Sequence, residues 1–342
     1  MERAIQVTNS RNVGINMTGS GSNRIDVVVV SHGRNSSLIR LLRSFCNSPE
    51  TTEMIGKFIL VIDSKPLPDF TGFCMEHKLD VIAPETRIFI TNAKNVGWHE
   101  CTSDLILFVD DDNIIDDSSV LHLVNLMNSD SSIGAMMPSV SYYGKRNLIW
   151  VYAPVFRPGK WRMNLIGRNT LEDHPPPSDL MEVDALPNAF IVRRSVLKEA
   201  GGFDSTFVSN NSCDLCQRIK ALGYRTLAST KSRFYHDVSD PGKPGYWAEH
   251  ASVDRERSFL ESRDWILLMR RLHPGIRFWN PLLVWYFLLW VSQVSVGLVL
   301  LGSGPRTILG NLYAYSTGFI NAWKCCNPGS INSAYAIHNR HL

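Results

Sequence analysis

At 342 residues the chain has room for one large α/β domain and an appendage, since single domains usually stay below about 250 residues. A composition of 44% hydrophobic and 20% charged residues describes a folded protein, and a net charge of +3 is too small to indicate a nucleic-acid partner. Seven scattered cysteines exclude the disulfide framework of a small secreted domain, so reduced thiols are expected.

Residues 1–23 are polar, lack the apolar stretch of a secretory signal and are read as a flexible lead-in. From Ile25 to Val30 the chain is almost wholly apolar and β-branched, which predicts a strand buried on both faces. Similar runs follow at Phe58–Ile62, Arg87–Thr91 and Leu105–Val109, separated by helix-spaced segments such as Ser36–Phe45. That alternation predicts a mostly parallel sheet with helices on both faces, whose ligands bind beyond the carboxyl ends of the strands. The residues there are Ser31-His32-Gly33-Arg34, Asp63-Ser64-Lys65 and Asp110-Asp111-Asp112. A second section, from about Gly134 to Asp240, mixes a strand at Asn188–Val192 with a helix at Ser212–Leu222.

The character changes again beyond Arg277. Residues 278–305 contain no charge, and the centre from Leu282 to Leu301 is long enough for a bilayer core of about 30 Å. Arg270, Arg271 and Arg277 on its amino-terminal side place the preceding domain at the cytoplasmic face of a membrane. A second uncharged stretch, 307–323, returns as a hairpin or lies in the interface. The expected organisation is therefore a lead-in (1–23), a catalytic domain (24–240) and a membrane-associating helical region (241–342).

Three consecutive carboxylates after a buried strand repel one another and lose hydration, so a positive partner is expected among Asp110, Asp111 and Asp112. A divalent cation with hard oxygen ligands, magnesium or manganese, fits, and it can bridge the two phosphates of a nucleotide sugar. A calcium loop does not fit, because Ile115 stands at its sixth position and Leu121 at its twelfth. A dinucleotide fold does not fit either: Gly19 and Gly21 precede the first strand. The pair Cys213 and Cys216 lacks a second pair at zinc spacing.

Taken in order, Val27–Arg34, Asp63, Asn95-Val96-Gly97 and Asp110-Asp111-Asp112 resemble the inverting glycosyltransferases of family 2, which have the GT-A fold, over roughly Arg24 to Asp240. The resemblance implies that Ser31, His32 and Arg34 surround a nucleotide, with Asn95 and Gly97 alongside. It also implies that Asp63 hydrogen-bonds the base or ribose, that Asp110 and Asp111 face the nucleotide sugar, and that Asp112, with Asp110 and His236, holds the metal. Pro187–Arg194 followed by Gly201-Gly202-Phe203-Asp204 resembles the family's acceptor side, which assigns Asn188, Gly202 and Asp204 there; Asp184 and Trp161 are further candidates. The family's Glu-Asp pair is absent, because the corresponding stretch reads Asn211-Ser212-Cys213-Asp214-Leu215. Asp214 is the remaining candidate for the general base that a hydroxyl acceptor requires, unless it caps and orients its own helix. An already anionic acceptor such as a polyprenyl phosphate needs no base. The expected activity is metal-assisted transfer of a sugar from a nucleotide-diphosphate donor to a glycan or lipid-linked acceptor, with inversion. A catalytically silent nucleotide-sugar-binding or scaffold protein and a nucleotidyltransferase are the alternatives.

Overall fold

The computed structural model describes residues 24–62, 70, 73, 78–116, 118–156, 163–174, 176, 178–243, 254–273 and 280–324. Strands β1 (Ile25–Ser31), β2 (Ile55–Ile62), β3 (Leu79–Ile82) and β4 (Leu105–Asp110) run parallel, connected through helices α1 (Asn35–Cys46), α2 (Pro49–Met54) and α3 (Phe89–His99). The other half of the sheet contains β5 (Asn113–Ile115), β6 (Ile133–Tyr142), β7 (Lys145–Val151), β10 (Leu180–Glu182), β11 (Ala189–Arg193) and β12 (Arg225–His236). Its helices are α4 (Ser119–Ser129), α5 (Arg194–Glu199) and α6 (Asn211–Ala221), and β8 (Ala153–Phe156) pairs separately with β9 (Met163–Ile166). Among the described residues the large sheet has ten strands in the order β10-β12-β6-β11-β4-β1-β2-β3, with β5 on β12 and β7 on β6.

The sheet is mixed, which corrects the mostly parallel expectation: β11 lies antiparallel between β4 and β6, although β12 runs parallel to β6. Both faces of β1 are buried, Val27 and Val29 with Leu38, Leu41 and Phe45 of α1, and Val28 with Ala93 of α3 and Phe108 of β4. This explains why the strand reads as a continuous apolar run. Its one buried charge, Asp26, accepts from the backbone N–H groups of Lys57, Thr102 and Ser103 and from the Ser103 hydroxyl, joining β1 to β2 and to the turn before β4.

The expected strand at 87–91 is instead the entry to α3, where Phe89 has a positive φ of 58° and the helix begins. The third strand lies earlier, at Leu79–Ile82. Its mixed exposure at the sheet edge leaves too weak an apolar signal to distinguish it from a loop. Cys46 is disulfide-bonded, contrary to the expectation of uniformly reduced thiols, whereas Cys101, Cys213 and Cys216 are free and buried.

Three further helices follow: α7 (Arg255–Leu272), α8 (Pro281–Leu300) and α9 (Pro305–Lys324). Helix α7 is built into the α/β domain through Trp265, Ile266, Leu268 and Met269, which pack with Phe207, Cys213 and Ala185. The Ser258 hydroxyl donates to Asn311 at 2.6 Å and that of Ser262 to the Tyr315 carbonyl at 2.8 Å, joining α7 to α9. Among the described residues no helix is long and apolar enough to cross a membrane. Ser292, Gln293 and Ser295 interrupt the apolar sequence of α8, which is itself continuous, and it packs Val294 and Leu298 against Tyr315.

Gly97 shows how closely α3 approaches the sheet, since a Cβ there would lie 2.5 Å from Val28 Cγ1. Val28 is β-branched and buried, with little freedom to move aside. Gly97→Ala is expected to destabilise the protein by about 1–3 kcal/mol through overpacking, and adding Val28→Ala should recover part of the loss. Denaturant unfolding of the single and double variants measures both.

Candidate active site

The acidic motif closes β4 and opens the two-residue turn to β5. The Asp110 N–H donates to the Asn188 carbonyl at 2.8 Å, and Asn188 itself has a φ of 66°, a left-handed conformation that asparagine tolerates. Asn113 braces the turn, its Nδ2 donating to the Asp110 carbonyl at 3.2 Å and to Asp112 Oδ1 at 3.3 Å. Behind the turn the Asp237 N–H donates to the Asp112 carbonyl at 2.7 Å, fixing the end of β12 beside the motif.

Each carboxylate has a different partner. Asp110 Oδ1 lies 3.4 Å from Nζ of Lys94, a buried lysine of α3. Asp111 accepts a 2.5 Å hydrogen bond from the Ser31 hydroxyl at the end of β1, and Arg34 Nη1 lies 3.7 Å away. Burial dominates there and, with help from Asp112, lifts the Asp111 carboxyl to about 7 against the opposing Ser31 hydrogen bond. Asp112 is ion-paired to Arg34 through one oxygen, and its Oδ1 faces His236 Nε2 at 3.5 Å. Burial opposes ionisation of Asp112, but the combined action of His236 and Arg34 outweighs it and holds the carboxyl at about 2.

Two cavities open from this point. One of about 420 Å³ contains Val30, His32, Asp110, Asp111, Phe89 and Ser209 among its lining residues, and the other, of about 880 Å³, contains Tyr143, Trp150, Arg168, His236 and Lys243. His236 sits edge-on to Trp150 at 5.1 Å between ring centroids, and its Nδ1 is buried without a hydrogen-bond partner among the described residues. Arg40 of α1 pairs with Asp237 and holds the chain after His236 against the mouth of the larger cavity.

The sequence matches the model of glycosyl transferase family 2 over residues 26–199, just over half of the chain. The chain belongs to glycosyltransferase family 2. No curated protein matches this glycosyltransferase significantly. Among solved structures it is similar to the mannosyltransferase PcManGT from Pyrobaculum calidifontis in complex with GDP-Man and Mn2+, at 14% identity and a TM-score of 0.52, covering 88% of each chain. It is also similar to GalNAc-T7 with UDP, GalNAc and Mn2+, at 16% identity and a TM-score of 0.50 over 70% of this chain, but it spans only 50% of that one. At these identities the likeness establishes the GT-A-like mixed α/β fold, and the family match sets aside a nucleotidyltransferase.

The glycosyltransferase brings Ser31, His32, Arg34, Asp110, Asp111, Asp112 and His236 together, with Asn188 directly beside the motif. Asn95 and Gly97 take structural positions instead. Asn95 donates to the Phe203 carbonyl at 2.7 Å and accepts from the Phe203 N–H at 2.9 Å, while Gly97 permits the packing of α3 on β1. Gly202, at a φ of 71°, carries the chain past Asn95 and Trp98 where a side chain would crowd both. Asp63 and Trp161 lie outside the described residues.

Asp184 accepts from Lys220 at 2.7 Å and from the Phe156 N–H at 2.6 Å. Asp204 pairs with Arg271 at 2.7 Å, and Asp214 is fully buried, one oxygen taken by Arg218 at 2.8–2.9 Å and the other by Arg271. The thiol of Cys216 is pushed up to about 12 by burial, and that of Cys213 well above its usual value, so both remain protonated beside the carbonyls of Val183 and Asp184.

Lys94, Trp150, Arg168, Asp237 and Arg257 join the site without having been singled out in the sequence. Only Lys94 left a signal, as a charge three residues before Gly97 on the buried face of α3.

Burial opposes ionisation of Asp204, but Thr206 and Arg271 outweigh it and lower its pKa. A depressed folded-state value stabilises the protein above the ordinary carboxylate pKa, and that contribution is lost as pH falls through the depressed value. Asp204→Asn is therefore expected to cost about 1 kcal/mol at pH 7 and to flatten the decline in stability below about pH 4, as thermal unfolding across pH 2–7 would register.

Proposed function

We propose that this glycosyltransferase takes a sugar from a nucleotide-diphosphate donor held in the smaller cavity against Asp110, Asp111 and Asp112, and transfers it with inversion. One observation carries the reading: Asp112 Oδ1 and His236 Nε2 face each other across 3.5 Å where the two cavities meet. Among the described residues no three metal-binding side chains converge, so a closed protein cage is absent. An open site suits magnesium or manganese, which take one or two protein ligands and complete their shell with substrate phosphates and water. Asp112 and His236 would hold such a cation, with Asp110 alongside, and it would offset charge on the departing diphosphate. Ser31 and Arg34 keep Asp111 and Asp112 oriented, and Lys94 keeps Asp110 in place beneath the nucleotide. His32, exposed on the smaller cavity, contacts the nucleotide.

On the acceptor side we assign Asn188, which adjoins the motif, and the segment after Gly202. With both oxygens of Asp214 bound by arginines and no carboxylate at 211–212, Asp214 serves as the anchor of α6. The arrangement favours an acceptor that arrives without a proton to lose, such as a polyprenyl phosphate, over a glycan hydroxyl. The side chains of Trp285, Leu288, Val299, Leu300 and Leu309, each more than half exposed on α8 and α9, suit a membrane interface. We place the protein on the cytoplasmic face, where Arg270 and Arg271 precede that pair of helices.

Nucleotide-sugar binding and hydrolysis, measured with manganese, magnesium or EDTA, test the donor reading. One donor should respond to the metal, with Asp112→Asn lowering turnover by about 10²-fold or more, the equivalent of several kcal/mol of charge stabilisation. Absence of metal-dependent binding to every donor would refute it, and binding without turnover would point to the scaffold alternative. Flotation with anionic lipid vesicles tests the surface: the triple change Leu288→Asp, Val299→Asp and Leu309→Asp should lower vesicle binding by about tenfold or more.

A further inference from the structure

Three residues line both cavities: Arg34, Asp112 and Arg257. The first two follow β1 and β4. Arg257 comes from the first turn of α7, well beyond the residues matched by the family model. It therefore faces the point where the donor's reacting end would meet the second substrate.

The cations around this junction differ in what they already hold. Lys94 is matched by Asp110 and Arg34 by Asp112. Arg87 is bound to Glu256 at 2.9 Å and Lys243 to Asp240 at 3.0 Å, while Arg168 lies over the Trp150 ring and lines the larger cavity alone. Arg257 is held through Nε by Glu261, one turn along its own helix, at 2.7 Å, and no other hydrogen bond engages it among the described residues. Its side chain is half exposed, so its two terminal amino groups remain available as a fork suited to phosphate oxygens.

The backbone beneath it is fixed. Asp264 of α7 is fully buried and accepts from the N–H groups of Val208 and Ser209 at 2.6 and 2.7 Å. Arg263 donates to the Thr206 carbonyl at 2.8 Å, and Arg271 reaches Asp204 and Asp214. Helix α7 therefore presents Arg257 from a rigid mount.

We propose that Arg257 binds the diphosphate of the nucleotide-sugar donor and holds it as it departs. The proposal rests on the donor reading above. When the bond from the anomeric carbon to the diphosphate oxygen breaks, its electron pair leaves with the nucleoside diphosphate, which gains one negative charge. Asp110, Asp111 and Asp112 cannot offset that charge, whereas a guanidinium at the junction can.

Binding of UDP and GDP with manganese, and of UMP and GMP under the same conditions, tests this by calorimetry on the full chain. Arg257→Gln should weaken the diphosphate that wild type binds by about tenfold or more, the size of a lost charge-assisted hydrogen bond, and change monophosphate binding by less than about twofold. Arg257→Lys should keep most of the affinity. Glu261→Gln removes the same helix ion pair but leaves the guanidinium, so it should bind diphosphate like wild type. Equal losses for diphosphate and monophosphate in Arg257→Gln, unchanged diphosphate binding there, or a matching loss in Glu261→Gln would each overturn the proposal. If wild type binds no nucleoside diphosphate, the donor reading itself fails, and this one fails with it.

Discussion

Three neighbouring negative charges at the end of a buried strand are the constraint around which the glycosyltransferase is arranged. They are tolerable because the fold gives each a different environment. Lys94 reaches Asp110 from α3, the Ser31 hydroxyl reaches Asp111 from β1, and Arg34 and His236 each reach a different oxygen of Asp112. The result is graded: Asp111 is pushed toward the protonated form, while Asp112 is kept ionised. A motif that repeats one residue type thus holds two adjacent carboxylates with opposite tendencies to ionise. Two of the elements that supply these partners lie in the central sheet, β1 next to β4 and β12 next to β6.

The other half of the site is organised by arginines. Arg271 joins Asp204 to Asp214, Arg218 closes the second oxygen of Asp214 and reaches the Gly202 carbonyl at 2.8 Å, and Arg263 lies against Asp264. Burial of so many charges contributes little net stability, because lost hydration offsets most of the Coulomb attraction. Its effect is geometric. The segment from Gly202 to Asn211 has almost no regular structure, yet several of its carbonyl, amide and carboxylate groups are tied to α6 or α7.

Where the sequence was informative, the signal was local. The continuous apolar runs at Ile25–Val30 and Leu105–Val109 are strands buried on both faces, and the polar residues after them do gather at one edge of the sheet. The run at Arg87–Thr91 was misleading because five residues cannot distinguish a strand from the first turn of a helix. Pairings were less legible still. Arg34 and Asp112 are 78 residues apart, and Asp214 and Arg271 57. Nothing in the type or spacing of Asp214 shows that its oxygens are already taken, and a carboxylate one turn before an arginine reads equally well as a base or as an anchor. Arg257 left no signal because its importance comes from where α7 docks, which depends on Asp264 and Trp265 far along the same helix.

The anchoring of Val208 and Ser209 by Asp264 also bears on the order in which a chain emerging from the ribosome can complete this enzyme. Asp26 finds its partners at Lys57, Thr102 and Ser103, so β1, β2 and the turn before β4 can be secured once the first hundred or so residues are available. The amides of Val208 and Ser209 must wait for a carboxylate 55–56 residues further on. The parallel strands can therefore pair early in synthesis, and the wall that carries Val208, Ser209 and Arg257 closes only after α7 has been made.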